Sequence, residues 1–328
     1  MDIAKEVIAA EIRIRPYIRK TILEYSPYYS RLTEANVHFK LENLQHTGSF
    51  KLRGAMNKML SLSPAQRDRG VVTASTGNHG AAVAYGLGKL GGRAIVFVPQ
   101  NASHVKIQVV ERLGAEVHHF GGDTADTEAH AREFAEKKGL TYIPPYNDLQ
   151  VIGGQGTIAI ELVKKLDKMD TVFAALGGGG LISGIAGYLK SIYPTVDIIG
   201  CSPQNSQVMI RSVDAGKILE LPSLPTISDG TAGGIEPGAL TFDLCRELVD
   251  EYETVKEDEI KDSLKEFLQT QHMLIEGAAA VAVAAMVKRR NRLAGKNVVV
   301  IICGANISVE TLRTILMSQK NEQGMTNE

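Results

Sequence analysis

Four consecutive glycines, Gly177, Gly178, Gly179 and Gly180, interrupt the segment LGGGGLISG between the apolar run TVFAAL (171 to 176) and a helical pattern that begins near Leu181. Glycines let several backbone N–H groups approach one phosphate, and a helix N-terminus adds favourable partial charge there. A simple turn does not need four of them, since each carries an entropy cost of up to about 1 kcal/mol. No Gly-Lys-Ser/Thr follows, which argues against a nucleoside triphosphate and for the phosphate of another cofactor. A second feature is Lys51, in TGSFKLRGA (47 to 55), at the start of another helical stretch. The helix dipole disfavours a cation at that end, so the placement of this lysine needs a reason.

The pattern GLGKLG, Gly86 to Gly91, matches G-x-G-x-x-G but closes a helix and precedes a strand. A dinucleotide fingerprint does the reverse, so a helix cap and turn is the better reading. Three other loops follow predicted strands directly: STGNHG (75 to 80), the glycines at 177 to 180, and CGANIS (303 to 308). Ligands of parallel sheets sit beyond the carboxyl ends of the strands, so these loops converge on one cleft, within reach of Lys51.

The elements that position them alternate. Strands are expected at 36 to 42, 70 to 75, 93 to 99, 115 to 120, 171 to 176, 196 to 201 and 297 to 303. Helices are expected at 51 to 60, 79 to 90, 104 to 113, 123 to 138, 155 to 166, across 257 to 290 as a pair, and at 308 to 318. This βαβ rhythm implies parallel sheets in an α/β protein. The length of 328 residues and 44% apolar content suit two domains with real cores, and the prolines of TYIPPYND (141 to 148) mark the boundary.

Lys and Arg number 36 against 37 Asp and Glu, which gives no field for nucleic acid or anionic lipid and points to a small-molecule substrate. The longest apolar run, Gly277 to Val287, is shorter than the about 20 residues of a membrane span. The charged N-terminal segment is unlike a signal peptide, so a cytoplasmic location is expected. Cys201, Cys245 and Cys303 are too far apart for a disulfide framework or a zinc knuckle.

TGSFKLRGA, STGNHG, VIGGQGT (151 to 157), GGGGLISG, LIEGAAA (274 to 280) and CGANI occur in the order of the serine/threonine dehydratase and serine racemase group of pyridoxal-phosphate enzymes, which the chain resembles over nearly its whole length. The resemblance implies two unequal α/β domains, each a mainly parallel twisted sheet flanked by helices: a large cofactor-binding domain of residues 1–52 and 149–328, and a small mobile domain of 53–148. It implies a homodimer or homotetramer. It also implies that Lys51 forms an imine with pyridoxal 5'-phosphate and later removes the Cα proton, which a neutral amine can do. Phe50 is then expected to pack by the cofactor ring, Asn78 to bond its phenolic oxygen, and Gly177 to Gly180 with Leu181 to hold its phosphate. Cys303 stands beside the pyridine nitrogen. Glu276 lies near the pocket, although an acid in a first helical turn is also ordinary dipole compensation. Ser75, Thr76, Gly77, Asn78 and His79 are expected to hold the substrate carboxylate, and His79 is given no chemistry.

The implied reaction is β-elimination from a β-hydroxy L-amino acid such as L-threonine or L-serine, giving a 2-oxo acid and ammonia. Thr76 takes the place of a serine that racemising relatives use opposite the lysine, and its methyl restricts the rotamer, which lowers racemisation without removing it. Ser202 and Val208 stand where some relatives have a pair of metal-binding acids, so no metal is expected. The positions Pro144, Pro145, Tyr146 and the glycine-rich 229 to 238 leave open larger substrates: phenylserine, hydroxyaspartate or a hydroxyectoine breakdown product. A pyridoxal-phosphate-binding protein without catalysis is the alternative from another class.

Overall fold

Uninterrupted runs of β-branched residues form the central strands of the protein, because only a strand covered on both faces buries every side chain. The computed structural model describes residues 2–102, 104–122 and 124–318. Among these residues the strands are β1 (Leu23–Tyr25), β2 (Asn36–Leu41), β3 (Val71–Ala74), β4 (Ala94–Val98), β5 (Glu116–His119), β6 (Thr141–Tyr142), β7 (Thr171–Ala175), β8 (Asp197–Pro203), β9 (Glu251–Val255) and β10 (Asn297–Ile302). The helices are α1 (Ile3–Ile14), α2 (Pro27–Thr33), α3 (Lys51–Ser61), α4 (Pro64–Arg69), α5 (Asn78–Leu90), α6 (His104–Arg112), α7 (Thr124–Lys138), α8 (Leu149–Val163), α9 (Gly180–Ile192), α10 (Val208–Ala215), α11 (Leu240–Leu248), α12 (Glu257–Gln271), α13 (Gly277–Lys288) and α14 (Val309–Met317). The first residue of the helix expected at 123 to 138 lies outside the described residues.

Two sheets result. The larger has the order β1-β2-β10-β7-β8-β9, and only β1 is antiparallel to its neighbour. At its centre Val298 of β10 faces both Val37 and Thr171. The smaller sheet, order β5-β4-β3-β6, is parallel throughout and comes from one continuous stretch of chain. Alanine-rich α13 is buried along most of its length, because small side chains let it lie close against the large sheet. Gly91, with φ +76°, caps α5, so GLGKLG ends a helix as expected. Among the described residues no helix is long and apolar enough to cross a membrane.

Three differences from the sequence reading have physical causes. β1 and β9 carry polar, half-exposed sequences at the sheet edges and give no apolar signal. α8 begins at Leu149, six residues before the expected start, with the Asp148 carboxylate accepting from the N–H groups of Gln150 and Val151. Its glycines lower helix propensity, yet a Cβ at Gly154 would fall 2.5 Å from the Arg53 carbonyl and one at Gly156 2.6 Å from that of Gly184. Close packing of α8 on α3 and α9 therefore overrides propensity.

A buried ionic network ties these elements together. Arg53 on α3 donates through Nε and Nη2 to Glu42, at 2.7 and 2.8 Å, and through Nη1 to Glu161 of α8 at 2.9 Å. Lys40 of β2 donates to Glu161 at 2.5 Å and to the Thr21 carbonyl at 2.7 Å. Burial alone would raise the Glu161 carboxyl, but Arg53 and Lys40 overcome it and bring it down to about 2. Arg53→Met leaves Glu42 and Glu161 without their shared partner, and breaking a buried pair this way costs about 3–5 kcal/mol. Urea denaturation should show a loss of that size, and a loss below about 1 kcal/mol would contradict the role given to the network.

Candidate active site

Lys51 opens α3, whose start carries no side-chain cap. The segment before it pairs with the end of β10: the Phe50 N–H donates to the Cys303 carbonyl at 3.0 Å, the Ala305 N–H donates to that of Gly48 at 2.9 Å, and Ser49 bridges Gly304. Gly48 permits this turn with φ +71°. The pairing sets Lys51 beside Cys303. Its Nζ donates to the Pro145 carbonyl at 2.8 Å and lies 5.3 Å from the centre of the Phe50 ring. Burial pushes the amine down to about 8, and the charge of Glu128 is the largest influence opposing it. Burial is thus the main reason this lysine can lose its proton.

The glycine loop joins β7 to α9. Gly179 has φ +85° and α9 has no side-chain cap, so the first N–H groups of the helix are free to meet an anion. A Cβ at Gly177 would lie 2.9 Å from Thr231, and one at Gly178 would lie 2.5 Å from the Tyr146 ring. A Cβ at Gly180 would lie 3.0 Å from Tyr146 as well. Tyr146 follows the carbonyl that receives the Lys51 proton donor, which places the lysine and the cradle at one recess. Beneath the loop, near Gly179, the buried Thr241 hydroxyl has no partner among the described residues.

Asn78, Glu276, Asn306 and Cys303 form a third group. Glu276 stands at the N-cap position of α13 but makes no capping bond, so its side chain does not serve its own helix. Instead it accepts from Asn78 Nδ2 at 3.0 Å to both oxygens and from the Asn306 N–H at 3.0 Å, with the Cys303 thiol at 4.0 Å. Burial raises the Glu276 carboxyl to about 7; the Asn78 hydrogen bond opposes this and the Asp229 charge adds to it. Burial likewise holds the Cys303 thiol well above the usual range, so it stays neutral. Asn306, which the sequence did not single out, fixes Asn78 by donating from Nδ2 to its Oδ1 at 2.5 Å.

The 75 to 79 loop leaves β3 and enters α5. The Ser75 hydroxyl accepts from the Gly77 N–H at 3.2 Å. Gly77 caps α5, so Asn78 is the first helical residue and not the cap. Thr76 and Gly77 are half-buried, and a Cβ at Gly77 would meet nothing within 4 Å, so the loop borders open space. His79 is buried with Nε2 2.9 Å from the Ile143 carbonyl. Burial and then the charge of Lys51 bring it down to about 3, so it is neutral. Ser202 bonds the Leu176 carbonyl at 2.7 Å and Val208 is core, and among the described residues no cluster of three His, Cys, Asp or Glu could hold a metal.

A half-buried lysine with a depressed pKa, a glycine loop with no room for side chains and a buried carboxyl–amide pair mark the candidate active site of an α/β protein suited to a phosphorylated cofactor. The family described as "Pyridoxal-phosphate dependent enzyme" matches residues 14–304, and the chain belongs to it. The chain is 39% identical to the catabolic L-threonine dehydratase of Escherichia coli K12, over 94% of each. The processed threonine deaminase isoform 2 of Solanum lycopersicum superposes with a TM-score of 0.91 at 34% identity, covering 96% of this chain and 86% of that one. The serine racemase of Dictyostelium discoideum gives 0.87 at 34%, with 93% and 99% covered. The cofactor is pyridoxal 5'-phosphate, and the uncapped glycine cradle facing a removable lysine proton fits it.

Gly178→Ala should weaken cofactor binding at least about tenfold in an absorption titration of the apoprotein, because its Cβ would displace Tyr146 or the phosphate; unchanged affinity would contradict the cradle. Glu276 predicts a pH effect. Its folded value lies near 7 against 4.5 for the free side chain, so between these values the folded state binds more protons than the unfolded one. The stability of cofactor-free protein should therefore fall as pH rises through that window, and Glu276→Gln should flatten the slope.

Proposed function

We propose that the protein is an ammonia-lyase converting a β-hydroxy L-amino acid, such as L-threonine or L-serine, to a 2-oxo acid and ammonia. The observation that carries this reading is the Lys51 amine, brought down to about 8, at the recess that holds the glycine cradle. The dehydratase and deaminase names of the relatives support it.

Bound pyridoxal phosphate supplies an electron sink for the pair left on Cα. Lys51 would hold the cofactor at rest, and its free amine would take the Cα proton of a bound substrate onto Nζ. The N–H groups of Gly177 to Gly180 and Leu181 would hold the phosphate, and Phe50 would pack by the ring. Asn78, oriented by Glu276 and Asn306, would hydrogen-bond the phenolic oxygen. Cys303, a neutral thiol, would stand by the ring nitrogen without giving it a full proton. Ser75, Thr76, Gly77, Asn78 and His79 would hold the substrate carboxylate, largely through backbone N–H groups. Thr76 would lie on the side of the site away from the lysine.

The Cα–H and Cβ–O bonds break with loss of water. One water is then consumed as the enamine hydrolyses to the 2-oxo acid and ammonia. Residues 53–148 act as a small domain that closes on 1–52 and 149–328, a reading supported by the 2.6 Å ion pair from Arg132 to Glu236 across that division. In this reading the enzyme is a cytoplasmic homodimer or homotetramer.

Purified holoenzyme should release equal amounts of 2-oxo acid and ammonia from L-threonine or L-serine, and Lys51→Ala should abolish both release and the lysine-bound cofactor absorption. Normal turnover by that variant would contradict the assignment. No release from any hydroxy amino acid by cofactor-loaded wild type would move the reading to racemisation or to a binding role.

A further inference from the structure

The segments around Thr47, Asn78 and Glu276 meet at Asn306, in the loop after β10, and their chemistry leaves its side chain a single orientation. Asn306 Nδ2 donates to the Thr47 carbonyl at 2.9 Å and to Asn78 Oδ1 at 2.5 Å, while its backbone N–H donates to Glu276 at 3.0 Å. A backbone carbonyl only accepts, so the Asn306 atom facing Thr47 must be the nitrogen. That nitrogen spends its other N–H on Asn78, which must therefore turn its oxygen toward Asn306. The opposite end of the Asn78 amide, Nδ2, lies 3.0 Å from each Glu276 oxygen. The two N–H bonds of an amide diverge too widely to point at both oxygens of one carboxylate, so one N–H bisects them. The second is left for a further acceptor.

This order of donors begins at the backbone and not at a titrating group. Thr47 precedes Lys51 in the segment that pairs with the end of β10. Gly48 leaves the room, since a Cβ there would fall 2.8 Å from Asn306 Oδ1. Asn78 opens the helix that follows β3 of the small sheet, whereas Asn306 follows β10 of the large one. Asn306 therefore carries the alignment of the lysine segment across to Asn78. Without the Asn306 amide, Asn78 keeps Glu276. Glu276, raised to about 7, takes up a proton near neutral pH and can then meet either end of an amide.

We propose that Asn306 is a positioning residue that makes Asn78 present an N–H, and not its carbonyl, to the phenolic oxygen of the cofactor. This rests on the Asn78 contact in the reading above and deepens it. An N–H at that oxygen favours the ionised form, and a carbonyl favours the un-ionised phenol. Asn306 itself is exposed and acts through Asn78.

The test follows the lysine-bound cofactor of the holoenzyme by absorption at one fixed pH, where the ionised and un-ionised phenol give separate bands. Asn306→Ala should lower the ratio of ionised to un-ionised form at least about threefold. Asn306→Asp has nearly the same size but offers an acceptor where the donor was. It should draw Asn78 Nδ2 toward itself and lower the ratio by about tenfold or more. Asn78→Ala should lower the ratio as well, and adding Asn306→Ala to Asn78→Ala should then change it less than about twofold. No turnover is needed, so the result does not depend on which amino acid the enzyme takes. An unchanged ratio in both Asn306 variants, or a further loss of the same size when Asn306→Ala is added to Asn78→Ala, overturns the role of Asn306 and leaves the Asn78 contact standing. An unchanged ratio in Asn78→Ala overturns that contact and the proposal with it. The comparison of the two Asn306 variants with wild type stands even if Asn78→Ala folds poorly.

Discussion

Arg53 carries a full charge into the protein interior two residues beyond Lys51, and the position of the reactive lysine depends on how that charge is met. Glu42 from the end of β2 and Glu161 from α8 meet it on two sides, and Lys40 balances the second acid. An unpaired buried ion is far less stable than a matched set, so α3 can dock only where all these partners converge. The first turn of α3 is thereby held against the large sheet, and the pairing of residues 48 to 50 with 303 to 305 completes its alignment.

Burial then does the chemical tuning. The same exclusion of water brings the Lys51 amine down, the Glu276 carboxyl up and the Cys303 thiol further up. Each of these groups moves toward its neutral form. A neutral amine can act as a base, and a neutral thiol adds no charge to the recess. This is the electrostatic arrangement expected of a pyridoxal-phosphate-dependent ammonia-lyase.

The sequence was most readable where one residue type has few alternative uses. Consecutive glycines after an apolar strand marked the turn from β7 to α9, and the unbroken run at 297 to 303 marked a central strand. Edge strands β1 and β9 were not readable, because half-exposed polar residues carry no period that distinguishes them from loops. The start of α8 was placed six residues late, because its glycines lower helix propensity and the neighbours they pack against, Arg53 and Gly184, come from other elements. Lys51 could be placed at a helix start, but its burial depends on chain segments nearly a hundred residues away. Glu276 was readable equally as a pocket residue and as a dipole-compensating acid. Its turn toward Asn78 and Asn306 follows from long-range packing, as does the contact of Tyr146 with Gly178.

The most direct test of the account is chemical trapping of the lysine. Holoenzyme reduced with borohydride and digested should yield one phosphopyridoxyl-labelled peptide, which mass spectrometry should assign to Lys51. A label on another lysine, or reduction that leaves the Lys51 peptide unmodified while the cofactor remains bound, would contradict the central claim that burial at the start of α3 creates the reactive amine.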